Sequence, residues 1–487
     1  MKTLSFLALI ASMVLAAPAL AGRQQADVLI RHATIVDVEH GRTQAGQAVA
    51  IRGADILAVG EDATLARAWQ APATVDARGR YLIPGLWDMH VHFGGGPALV
   101  EENKALLPLY VAHGITTVRD ASGDLAEQVL AWRGQIAAGQ LFGPQLFTSG
   151  AKIEGIAPVW KGTLEAGDEA GVDAALDREQ RDGVDFVKIT DSTLKPELFL
   201  YALGEARKRG LRTSGHIPMA LTVGQAVDAG LSSIEHLDYA FKAGVADEAA
   251  IAADFAAGRI DRAEANRRLH AGFDRATATA AYRRFAELGV AVTPTLDGGR
   301  IIDFLDVEPH DGDAYLAYIG PGLRKTYAWR VERAAKATPE QIAARHARYA
   351  EVAAVLPLLQ EAGVRIMAGT DAGFLNSYNY PGVGLHNELA LYVREGLTPA
   401  QALVSATRAG PAWFGRLDRY GGVEAGKAAD LVLLERNPLE DIEAVRAIDT
   451  VVMRGQVHDR AALDAMLASV RAKVAEWNAA EATAEAR

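Results

Sequence analysis

Short apolar runs recur along the middle of the chain, and stretches whose apolar residues return at helical spacing separate most of them. The runs fall at 86–93, 115–121, 145–150, 184–190, 211–217, 231–236, 290–296 and 364–371. Pro196–Lys208 and Gly224–Ala229 are two of the helical intervals. Eight strands alternating with helices predict an α/β fold with a parallel sheet, best closed as a (β/α)8 TIM barrel over about 84–415. An open doubly wound sheet is the alternative, but no Gly-rich dinucleotide fingerprint follows the first strand.

The two ends read differently. Val28 to Val36 is β-branched and apolar, and Val49-Ala-Ile-Arg and Ile56-Leu-Ala-Val59 follow between polar turns. Ala429 to Leu434 and Thr450 to Val457 repeat that character near the other end. Together they predict one small β-sandwich assembled from residues 22–83 and 416–458, with a helix and tail over 459–487. Two intervals, about 240–288 and 298–362, exceed a plain strand-to-helix connection and read as helical insertions. They are either ordinary outer helices or a wall over the barrel mouth, since long insertions in compact domains are often functional.

The first residues carry an export pattern. Lys2 is a positive start, Leu4 to Leu15 an apolar stretch, and Ala19-Leu-Ala21 a small-residue cleavage site. A signal peptide over 1–21 is expected, with a secreted protein, in a bacterial periplasm, as its consequence. No other run is long and apolar enough to span a bilayer.

Composition narrows the chemistry. Half of the 487 residues are apolar and 23% are charged, which suits a soluble globular chain with a large core. The formal net charge of −11 offers no basic excess for phosphate neutralisation, so nucleic acid is not the expected partner. A small-molecule substrate is, and a homo-oligomer is compatible with the sequence. With no cysteine, metal ligands must come from His, Asp, Glu or a modified Lys.

Candidate ligands of that kind sit at strand ends. The first barrel strand reads Leu82-Ile-Pro-Gly-Leu-Trp-Asp-Met-His-Val-His-Phe93, and His90 and His92, two apart, face one side. Such a pair is a weak signal alone. Lys188, His216, His236 and Asp371 each lie at or near the end of a separate predicted strand. Individually they read as an ion-pair partner, two hydrogen-bonded core histidines and a helix N-cap. In a barrel, all those ends converge on one face, where active sites are built.

This arrangement resembles the metal-dependent amidohydrolase superfamily over roughly residues 25 to 458, most closely its dipeptidase-like and imidazolonepropionase-like branch. The flanks His113-Gly-Ile-Thr-Thr-Val-Arg-Asp120, Gly384-Leu-His-Asn-Glu-Leu389 and Gly421-Gly-Val-Glu-Ala-Gly-Lys-Ala-Ala-Asp-Leu-Val432 are similar too. The resemblance implies two divalent metal ions, zinc first among manganese, cobalt and iron. His90, His92 and Asp371 would hold one and His216 and His236 the other. Lys188 would bridge them as a carbamate, because a buried lysine readily becomes the neutral, CO2-reactive amine. It also implies a metal-bridging hydroxide as nucleophile, with Asp371 carrying the proton to the leaving nitrogen.

Departures from that pattern fall on substrate contacts. Pro218 stands where dipeptidase-like members often carry a Tyr, and Glu154-Gly-Ile-Ala-Pro-Val-Trp160 replaces a Gly-rich stretch. Tyr239 and His386 are the substitute contacts expected near the mouth, although packing and helix-start roles are open to them. The expected reaction is hydrolysis of a C–N amide bond in a dipeptide, N-acyl amino acid or similar small amide. A lactone, ester or cyclic-imide hydrolase on the same site is one alternative. A non-catalytic, metal-loaded binding protein is the other.

Overall fold

The computed structural model describes residues 23–485, so the signal peptide expected over 1–21 lies outside the described residues. Among the described residues, no helix is long and apolar enough to cross a membrane.

Both chain ends contribute to a single eight-stranded sheet. Val28–Asp37, Arg42–Arg52, Asp55–Glu61, Ala73–Asp76 and Tyr81–Pro84 come from one end, and Leu431–Leu434, Ile448–Met453 and Gln456–His458 from the other. The seam is the antiparallel pairing of Tyr81–Pro84 with Leu431–Leu434, Ile83 opposite Val432. Successive side chains of a strand point to opposite faces. Leu82, Leu431 and Leu433 accordingly join Val49 and Ile51 in the sheet's own apolar cluster. Ile83, Val432 and Leu434 turn the other way, into the large core shared with the barrel helices.

Between the two ends lies a TIM-barrel-type α/β arrangement. Its strands are β1 (Leu86–His92), β2 (Ile115–Asp120), β3 (Gln145–Thr148), β4 (Val187–Ile189), β5 (Thr213–Gly215), β6 (Ser233–Glu235), β7 (Ala291–Thr293) and β8 (Arg365–Ile366). β1, β2 and β3 pair in parallel as one arc, and β4 to β8 as another. Backbone hydrogen bonds span both gaps between the arcs. Asp185 N–H donates to Thr148 O at 2.9 Å, and Met89 N–H to Ala368 O at 2.8 Å. All eight expected runs therefore contain a strand, although most strands are shorter than their runs. At β4, Val187 and Ile189 pack into the large core while Lys188 between them takes the opposite face.

Helices fill both long intervals. The first holds α1 (Leu237–Lys242) and three further helices ending at Leu288. The second holds α2 (Leu296–Asp303), α3 (Pro321–Ala335) and α4 (Pro339–Ala353). Beyond β8 comes α5 (Val383–Arg394), and a long helix, Arg460–Glu485, ends the described chain.

The chain beyond β8 approaches β1 very closely. A Cβ on Gly369 would lie 2.5 Å from Thr293 Cγ2 and 2.9 Å from the backbone N of His90. Only glycine fits between the Thr293 side chain and the His90 backbone at that spacing. Gly369→Ala is expected to destabilise the fold by about 1–3 kcal/mol through overpacking. Chemical denaturation of the purified variant checks this, and an unchanged midpoint would contradict the tight packing.

Candidate metal centre

The strand ends bring the six sequence-selected side chains to one place. His90 and His92 stack with ring centroids 5.3 Å apart, and their Nε2 atoms lie 3.2 Å from each other. Asp371 Oδ1 lies 2.9 Å from His92 Nε2 and 3.3 Å from His90 Nε2. His216, just beyond β5, and His236, just beyond β6, face each other with Nε2 atoms 3.0 Å apart. The rings of His90 and His236 are 5.2 Å apart, which links the two pairs. One ligand atom from each of His90, His236 and Asp371 fits within 4.8 Å of the others. His92, Lys188, His216, His236 and Asp371 all line one narrow cavity.

Hydrogen bonding settles which nitrogens are donors. His90 Nδ1 donates to the Glu235 carboxylate at 2.6 Å. The Thr295 hydroxyl donates to Pro294 O, so it is free to accept from His236 Nδ1 at 2.7 Å. With Nδ1 carrying the proton, the Nε2 of a neutral imidazole presents a lone pair. The lone pair of His90 thus points at Asp371 Oδ1, a buried oxygen without a hydrogen bond of its own. That of His236 points at the nitrogen of His216. Like partial charges converging in a buried pocket repel unless a cation sits among them. The donor set of imidazole and carboxylate is the chemistry that divalent transition metals take.

Charge states agree with this. Burial pushes His90 down to about 3 and holds His216 and His236 below the usual imidazole range. Burial alone would raise Asp371, but the hydrogen bond from His92 and the positive charge that His92, His90 and His236 carry when protonated pull it well below the usual carboxylate range. Lys188 is fully buried, and its Nζ has no hydrogen-bond partner. Burial pushes it down to about 8, so an appreciable fraction is the neutral amine near neutrality.

Beneath the cluster, Glu235 gathers four partners. Besides His90, its carboxylate accepts from Arg119 Nη2 at 2.7 and 2.8 Å, and from Ser214 Oγ and Ser233 Oγ at 2.6 Å each. Burial opposes ionisation there, but Arg119 and His90 overcome it and hold Glu235 well below its ordinary value. The Arg119 guanidinium is itself held between the rings of Phe186 and Trp413, 5.0 and 5.1 Å from their centroids. Asp88 turns aside to the Thr370 hydroxyl and backbone, and Asp120 to Phe93 N–H. Backbone conformation is strained at the same spots: His236, Thr295 and Asp371 have φ of 72°, 52° and 64°. Each non-glycine residue in that region costs about 1–3 kcal/mol, which the surrounding packing must offset.

The two expected substrate contacts part company. Tyr239, on α1, stacks on the His216 ring at 5.7 Å and 13° and lines a neighbouring cavity with His236. His386, on α5, is a correction. It is buried, donates from Nε2 to His113 O at 2.9 Å, and lines none of the cavity over the cluster. Its helix packs against the chain beyond β1, so the ring is spent on joining elements. Arg119, Thr295, Lys152 and Arg330 have no role assigned from the sequence. For Arg119 the signals are its place in the family-like stretch 113–120 and an arginine inside a buried strand. Lys152 lines the cavity from the short strand Lys152–Glu154, Trp160 from the end of the stretch that replaces the Gly-rich one, and Arg330 from an insertion that carries no motif.

Two expectations follow from these contacts. Glu235→Gln leaves the Arg119 cation buried without a counter-charge and should destabilise the fold by about 3–5 kcal/mol, measured by chemical denaturation. Burial also holds His113 down to about 4 and His386 well below its ordinary value. The native state then binds fewer protons than the unfolded chain between about pH 4 and 6.5, so stability falls as pH drops through that window. His386→Gln keeps the donor without the titration, and its melting temperature should fall less than that of the parent between about pH 7 and 5.

The comparisons with known proteins bear on the whole arrangement. Residues 81–458 match the model of the Amidohydrolase family. The ochratoxinase of Aspergillus niger is 24% identical over 482 residues, covering 87% of this chain and 84% of that protein. An adenine deaminase of Mesorhizobium japonicum is 40% identical over 98 residues, only 20% of this chain and 15% of that protein. Among solved structures, a bottromycin amidohydrolase superposes with a TM-score of 0.68 at 22% identity, covering 92% of this chain and 90% of that one. A Xaa-Pro dipeptidase with bound methionine gives 0.63 at 21%, covering 89% and 99%. The chain belongs to the amidohydrolase family and is by that membership a hydrolase acting on carbon–nitrogen bonds.

Proposed function

We propose that this enzyme hydrolyses the amide C–N bond of a small substrate, an N-acyl amino acid, dipeptide or similar amide, at a centre of two divalent ions. His90, His92 and Asp371 would hold one ion and His216 and His236 the other, and Lys188, as a carbamate, would serve both. The observation that carries this reading is that the His90 lone pair faces a buried carboxylate oxygen and the His236 lone pair faces the His216 nitrogen, next to a buried amine without a partner. Such a pair of ions, zinc being the first expectation, would polarise the scissile carbonyl and bring a shared water's pKa from about 16 towards 7.

The chain's own part follows from the contacts. Glu235 and Thr295 fix the Nδ1 protons of His90 and His236, so both Nε2 atoms face inward as ligands. Asp371 Oδ1, ionised and without a hydrogen bond, takes the proton of the attacking water and returns it to the leaving nitrogen. Lys188, brought down to about 8 by burial, would react with CO2 as the free amine, its nitrogen bonding the carbon and releasing one proton to solvent, to give an anion with two oxygens. Ochratoxinase, the dipeptidase and the bottromycin amidohydrolase lend support as fold relatives with hydrolytic names. We also read the two parallel arcs as one closed barrel, on the hydrogen bonds across both gaps, and the eight-stranded sheet as a folded-over sandwich bounded near 83 and 416. Export to a periplasm remains part of the proposal, on the sequence of residues 1–21.

Elemental analysis of the purified protein should find about two divalent ions per chain, in keeping with the ligand count. Chelation should abolish hydrolysis of an N-acyl-amino-acid and dipeptide panel. Lys188→Ala should keep its melting profile and lose both an ion and activity. Activity that survives full chelation would sink the reading, and turnover confined to lactones would move it to the ester-hydrolase alternative.

A further inference from the structure

The second helical insertion forms one wall of a cavity that opens from His236 and Asp371. The cavity measures about 580 Å³. Arg330 and Arg333 of α3 and Arg345 and Arg348 of α4 all line it. Its acidic lining is Asp238, Asp303 and Asp371. Arg348 already pairs with Asp303 at 3.2 Å, and Asp371 is turned towards the imidazoles. Among the described residues Arg330, Arg333 and Arg345 form no ion pair within 4.0 Å, and Asp371 and Asp303 act on Arg330 and Arg345 only from farther off. The wall is therefore cationic in excess.

Two of these arginines stand out. Arg333 and Arg330 both lie over the exposed ring of Trp329, 4.6 and 5.9 Å from its centroid. Arg330 and Arg345, unlike Arg333, have an Nε that is shut off from solvent and meets no acceptor. A buried guanidinium donor left open costs free energy unless an anion completes it in use. Arg330 also lines the narrow cleft directly over the cluster, beside Lys188 and His216. The charges that act on it are Asp371 and Arg333. Trp160, Phe374 and Leu375 line the same cleft and supply its apolar part.

We propose that Arg330, assisted by Arg345, binds a carboxylate on the amine half of the substrate, which makes the substrate class N-acyl amino acids or dipeptides with a free α-carboxylate. The choice of half rests on the proposed function, in which Asp371 gives its proton to the leaving nitrogen. Arg330 neighbours that same aspartate, and an α-carboxylate stands one carbon from that nitrogen. The acyl half then lies against Trp160, Phe374 and Leu375. Water adds its oxygen to the acyl carbon as the C–N bond breaks, and the amino acid leaves with the proton. A planar guanidinium suits this task because it meets a carboxylate with two parallel donors.

Binding of a matched pair without a scissile C–N bond tests this apart from turnover. Calorimetry compares 4-phenylbutyrate with its neutral isostere 5-phenylpentan-2-one on the metal-loaded protein. Wild type should prefer the carboxylate by about 10- to 100-fold, the range of a charge-assisted hydrogen-bonded pair. Arg330→Met should lose that preference while binding the ketone as before, Arg330→Lys should recover part of it, and Arg333→Met should keep it. Melting curves of each variant verify the fold. Equal binding of the two probes by wild type, or an undiminished preference in Arg330→Met, would overturn the proposal. If the preference behaves as expected yet no amide is cleaved, the fault lies with the proposed hydrolysis and not with the anion site.

Discussion

One buried carboxylate holds the centre of this molecule in register. Glu235 ends β6 and is out of contact with solvent, yet it ties together His90 of β1, Arg119 of β2, Ser214 of β5 and Ser233 of its own strand. A lone carboxylate could not stay ionised there, and a lone guanidinium would be as costly. Their pairing makes the interior of the sheet polar at one level, where most barrels are filled with branched aliphatics. It also decides which nitrogen of His90 bears the proton, and from that choice follows the inward lone pair on which the proposed ligand geometry depends. The floor of the site and the chemistry above it are thus one network.

Much of this was legible in the sequence, because strand periodicity is a strong local constraint. His90 and His92 had to share a face, and Lys188, flanked by Val187 and Ile189, had to take the opposite face from them. The ends of parallel strands had to meet on one side. What periodicity does not encode is long-range pairing. Nothing local marks Glu235 as the partner of Arg119, because the two are brought together only by the order of strands around the sheet. His386 misled for a related reason: it stands in a stretch similar to a known family, yet the helix that bears it faces His113 and not the cavity. Arg330 was invisible because an arginine-rich helix reads equally well as a solvated face. Its standing depends on where α3 is laid across the mouth.

The architecture separates tasks by stiffness. The cluster rests on short strands with strained residues at their ends, a combination that resists adjustment. The wall opposite is made of helices from an insertion, joined to the loop beyond β3 by the edge contact of Trp160 and Trp329 at 6.3 Å. Chemistry common to a family belongs on the former, and discrimination among substrates on the latter. That division explains why the family could be read from motifs while the substrate could not.

The seam between Tyr81–Pro84 and Leu431–Leu434 has a consequence for how the polypeptide is made. The strands from the amino-terminal side leave the ribosome first, but their partners arrive only after the entire catalytic body has been synthesised. Until then Leu82 and Ile83 offer an open apolar edge, the kind of surface that invites aggregation or chaperone capture. Closing so long a loop is entropically slow, so the clasp is the step at which a nascent chain becomes committed, and a polypeptide cut short near its end would be left with one edge of Tyr81–Pro84 unmated.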